Sequence, residues 1–73
     1  MTTATDKFRI GDAVMSTQKA LDNGVFTAPR TGTVVGFGRR LCTTYRVRVL
    51  MKGRRTSESY HMDFWDVVRR GRG

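Results

Sequence analysis

The chain has 73 residues, with 14 Lys plus Arg against 6 Asp plus Glu, a net charge of +8 and a single Cys. Folding at this length hides only about 60% of the surface that the unfolded chain exposes, which implies one domain with a thin core and argues against a large self-contained catalytic cleft. One Cys excludes an internal disulfide, and one His with one Cys cannot complete a four-ligand zinc site without carboxylates or a second chain.

Ten Thr, eight Val and one Ile stand against four Ala and three Leu, a balance that favours pleated strands over helices and predicts an all-β fold. Residues 1–6 are polar and are expected to be disordered, the folded domain to span 7–69, and a basic flexible tail to occupy 70–73. Phe8 and Ile10 alternate with Lys7 and Arg9, and Gly11-Asp12 turns into a first strand over 13–17. Residues 18–30 form a long connection broken by Asp22-Asn23-Gly24 and Pro29, with room for one helical turn at Gln18 to Leu21. Phe26 within it is expected to be the most exposed aromatic. A second strand runs over 31–37, where Gly36 marks a bulge or bend, and 38–43 make the next loop.

The strongest local pattern is a hairpin over 44–62. Tyr45, Val47, Val49 and Met51 alternate with Arg46, Arg48 and Leu50, a period of two. A two-residue Gly53-Arg54 loop of type II′ would set Val47 opposite Tyr60 and Tyr45 opposite Met62 on an apolar face. The other face would carry Arg46 opposite His61, Arg48 opposite Ser59 and Leu50 opposite Ser57. Glu58 falls on the apolar side opposite Val49, a misfit. A 3₁₀ turn is expected over 63–66, with Val67-Val68 as a short last strand.

This order of Gly11-Asp12-x-Val14, a long loop, Gly32-Thr33-Val34-Val35-Gly36-Phe37, Tyr45-x-Val47, a hairpin, and one turn before the last strand resembles the SH3-like barrels of the KOW and Tudor type. The resemblance covers about residues 8–68 and implies a single barrel of about five short antiparallel strands with one 3₁₀ turn before the last. The segments Gly11-Asp12-x-Val14 and Gly32 to Phe37, with Tyr45 after them, also resemble the plasmid-borne type II dihydrofolate reductases. That family builds its active site only as a tetramer. Where it carries a Val-Gln-Ile-Tyr strand in its pore, this chain has Ser57-Glu58-Ser59-Tyr60, and Ser16 stands in place of its lysine. The resemblance implies the barrel, but of the pore strand only Tyr60 is retained, so a reductase-like oligomer is a remote third reading.

The charge is one-sided. Residues 39–73 hold ten basic residues against Glu58, Asp63 and Asp66, and eleven of the fourteen cations are Arg. Arginine's planar fork matches phosphate and stacks on bases, so this bias points to nucleic acid, DNA or RNA, as the partner. The candidate binding residues are Arg39, Arg40, Arg46, Arg48, Arg54, Arg55, His61, Arg69 and Arg70. No base-reading motif accompanies them, so phosphate contact with little sequence specificity is expected. The alternative is a protein-interaction module, the same cations meeting an acidic protein partner. His61 near Asp63 and Asp66, and Cys42 beside Arg39 and Arg40, are candidates for a general base and a reactive thiol. Each reads more simply as a structural residue, so a non-enzyme with no cofactor is expected. No run is long and apolar enough to span a membrane, and 1–6 lack the apolar core of a secretory signal. The expected location is therefore cytoplasmic, and the thin core leads to an expectation of homo-oligomers.

Overall fold

The structure, a computed structural model, describes residues 3–38 and 45–71. Its β-branched segments form β1 (Ala13–Ser16), β2 (Thr31–Phe37), β3 (Arg46–Met51), β4 (Glu58–His61) and β5 (Trp65–Arg69). All pair antiparallel in one sheet of order β4-β3-β2-β1-β5. The all-β class stands as the sequence implies, and a 3₁₀ turn does precede the last strand, but at Met62–Phe64 rather than 63–66, so that Trp65 and Asp66 open β5. The sheet is not closed: among the described residues no ladder joins β4 to β5. β2 bulges at Val35, where Val34 pairs Val49 and Gly36 pairs Arg48.

The hairpin has the expected register, with Arg46 opposite His61, Val47 opposite Tyr60, Arg48 opposite Ser59 and Val49 opposite Glu58. Val47, Val49 and Met51 are buried while Arg46, Arg48 and Leu50 lie half-buried on the other face. The turn differs from the expected type II′. Arg54 N–H donates to the Met51 carbonyl at 3.0 Å, and Gly53, at φ 84°, is the third residue of that turn rather than the second. The cause lies in β2: Lys52 N–H donates to the Thr31 carbonyl (3.1 Å), so the chain follows β2 past the end of the β3–β4 ladder. Glu58 escapes burial at that end of the ladder, where its carboxylate accepts the Tyr60 hydroxyl.

Val14, Val34, Val47, Val49 and Trp65 form the centre of the core, with Phe8 and Ala4 added from before β1. Phe26 is buried too, contrary to the expectation for a loop aromatic. Its ring lies 5.4 Å from that of Trp65 and 5.3 Å from that of Tyr60. The helix α2 (Gln18–Asp22), capped by Thr17 Oγ1, and the left-handed Gly24 fold the long connection back. Val25 N–H then bonds the Ala20 carbonyl (3.0 Å), aiming Phe26 inward.

Both ends are more ordered than the sequence suggests. From Thr3 onward the expected disorder gives way to a helical turn, α1 (Ala4–Lys7), with Ala4 fully buried and the Asp6 carboxylate accepting Thr3 N–H at 3.1 Å. At the other end, Arg70 and Gly71 are fastened to the buried Asp12. Its carboxylate accepts Gly71 N–H (2.7 Å), Arg9 N–H (2.9 Å) and Arg70 Nη1 (3.0 Å). Gly71 packs so closely on Gly11 that a Cβ there would lie 2.2 Å from the Gly11 carbonyl carbon.

Candidate nucleic-acid interface

The phase of the β3–β4 ladder decides what the arginines do. Met62 N–H donates to the Tyr45 carbonyl at 2.8 Å, so the pairs Tyr45–Met62, Val47–Tyr60 and Val49–Glu58 share the inter-strand bonds. Ser57, Ser59 and His61 therefore turn their own N–H and C=O groups toward the open edge of the sheet. Arg46 and Arg48 reach across β4 to that edge. Arg46 donates through Nε to Ser59 Oγ (2.9 Å) and through Nη2 to the Ser59 carbonyl (2.7 Å). Arg48 does the same to Ser57, at 3.2 and 3.3 Å. Among the described residues no hydrogen bond uses Nη1 of either guanidinium. Both forks are thus held in place, capping edge carbonyls on one side and offering donors on the other.

His61 continues this line. Its Nδ1 accepts Asp63 N–H at 3.1 Å, which starts the 3₁₀ turn. Its ring stacks on Tyr45 with centroids 6.3 Å apart and planes 9° apart, and Phe64 backs it at 6.0 Å. Tyr45 stays 38% exposed.

A second cationic cluster sits at the hairpin turn. Arg30 from the end of the long connection joins Lys52 and Arg54 around a small cavity floored by Pro29, Thr31 and Met51. Burial, followed by the bond and charge of Glu58, pushes the Tyr60 hydroxyl up to about 12, while Arg54 and Arg30 act against that rise from nearby. Arg55 is exposed at the same tip. A wider groove, lined by Ala13, Leu50 and Val68, separates Lys52 and Arg54 from Arg69.

The expected site residues are therefore divided. Arg46, Arg48 and His61 share the β4 edge, Arg54 and Arg55 the adjoining tip, and Arg69 the far rim of the groove. Arg70 is spent on Asp12. Arg39, Arg40 and Cys42 lie outside the described residues. The sequence reading missed Arg30 and Lys52. The signal was the pairing of β2 with β3, because Gly32 opposite Met51 sets Arg30 and Thr31 beside Lys52. Compared with protein-family models, curated proteins and solved structures, the chain has no match.

Proposed function

We propose that this chain has an SH3-like fold, left open between β4 and β5, that binds nucleic acid by phosphate contact along the β4 edge and the adjoining hairpin tip. The strand order and the 3₁₀ turn before β5 support the fold assignment. The observation that carries the function is the pair Arg46 and Arg48, neighbours on one strand face, each anchored by a serine with donors to spare. Arg30, Lys52, Arg54 and Arg55 extend the same cationic surface. Among the described residues no recognition helix presents side chains to a groove, so the binding is tolerant of sequence. The reading is of a binding surface, because the side chains gathered here are cations placed to meet phosphate.

Titration of unrelated oligonucleotides between about 50 and 200 mM salt tests this. With about four phosphates neutralised, log affinity falls against log salt with a slope near −3 to −4. Replacing Arg46 and Arg48 together by Ala lowers affinity at least about tenfold on every sequence and makes the slope shallower by about two. No binding at about 50 mM salt overturns the proposal. The groove of Ala13, Leu50 and Val68, rimmed by Lys52, Arg54 and Arg69, favours a second reading, an acidic protein partner. Capture of such a partner from nuclease-treated lysate, with no oligonucleotide binding, would select it.

A further inference from the structure

We infer that the β4 edge takes a single strand rather than a duplex and stacks one base on Tyr45; this rests on the edge being a nucleic-acid interface. Arg46 and Arg48 are two residues apart on β3, hence about 6–7 Å apart along the strand. That matches the interval between neighbouring phosphates on one nucleic-acid strand. Both forks stand in one line on one open edge, so they serve consecutive phosphates of a single backbone. The same line ends on an aromatic surface. His61 is opposite Arg46, Tyr45 precedes it in the chain, and the two rings lie 9° from parallel with Phe64 behind His61. Backed by His61, the 38% exposed Tyr45 is a pre-set platform one step beyond the Arg46 phosphate. A duplex keeps its bases stacked on each other and has none to give. A single strand offers a base face at that step, and stacking accepts any base, in keeping with contacts that read no sequence.

Three labelled probes of equal length test the inference by anisotropy: oligothymidylate, the same backbone with abasic sites, and a duplex. The native chain binds oligothymidylate about tenfold more tightly than the abasic strand, the size of one stack. The duplex binds the native chain more weakly than oligothymidylate, and a duplex bound as tightly overturns the inference; Tyr45→Ala loses the thymidylate advantage and binds both single strands equally, while Tyr45→Phe retains it. Should Tyr45→Ala prove unstable, Tyr45→Trp supplies a second measurement, because its fluorescence is quenched by oligothymidylate and not by the abasic strand. Equal binding of thymidylate and abasic strands by the native chain overturns the inference, as does an unquenched Tyr45→Trp. Failure of all three probes to bind at low salt overturns the nucleic-acid reading instead.

Discussion

Asp12 is a buried carboxylate in a small domain, and its partners decide its charge state. Burial works to raise its pKa, but the N–H groups of Gly71 and Arg9, with the Arg70 guanidinium, outweigh it and hold the carboxyl below its usual range. A lowered folded-state pKa stabilises the fold above the ordinary carboxylate range, and that stability is lost as pH falls through the lowered value. Asp12→Asn therefore costs about 2–3 kcal/mol at neutral pH and flattens the acid limb of stability against pH, measured by urea unfolding from neutral to strongly acid buffer. Tyr60 shows the opposite sign. Its folded-state pKa near 12 means stability that is present below about 10 and lost as pH rises toward 12. Tyr60→Phe removes a tyrosinate absorbance step near pH 12 from the alkaline titration.

At the scale of elements, the hairpin was legible because a period of two and a single glycine leave few registers that bury Val47 and Val49. The turn type was not, because Lys52 is drawn to Thr31 of a strand that hairpin reasoning alone does not include. Phe26 was misplaced for a related reason: loop composition says nothing about where a chain returns after α2 and Gly24. Two glycines separate packing from backbone freedom. A Cβ on Gly32 would lie 2.6 Å from Val49 Cγ1 and 2.8 Å from the Leu50 carbonyl oxygen, so Gly32→Ala overpacks the β2–β3 pair. Its cost is about 1–3 kcal/mol. Gly24, at φ 72°, has open space around it, so Gly24→Ala carries only the left-handed backbone penalty of about 1 kcal/mol. Urea midpoints of the two variants fall in that order.

Across the whole molecule, the sequence located the positive charge in the second half of the chain but not its distribution over the surface. Arg69 and Arg70 are adjacent in sequence, yet one rims a groove and the other neutralises a carboxylate 58 positions away. No local pattern could have distinguished them. Equal changes of charge therefore have unequal effects. Arg54→Ala weakens oligonucleotide binding several-fold and makes the salt slope shallower by about one. Arg70→Ala leaves that slope unchanged and lowers the urea midpoint. The same titrations and melts, run on both variants, check the pair.

The fastening of Asp12 to Arg70 and Gly71 also governs when the chain can fold during synthesis. β1 lies between β2 and β5, and β5 supplies Trp65, a fully buried core side chain. A ribosome adds roughly 5–20 residues per second. Until β5 is made, then, β1 waits with one edge unpaired, the core lacks its indole, and the Asp12 carboxylate has only the Arg9 N–H of its three partners. Folding is therefore completed only after Gly71 has been made and has left the exit tunnel. A nascent chain stalled after Val68 has every strand but β5's final residue and still lacks the Gly71 amide and Arg70 guanidinium. Arrested at that point, it is cleaved by protease as an unfolded chain, whereas one continued through Gly71 and then by a linker long enough to clear the tunnel resists.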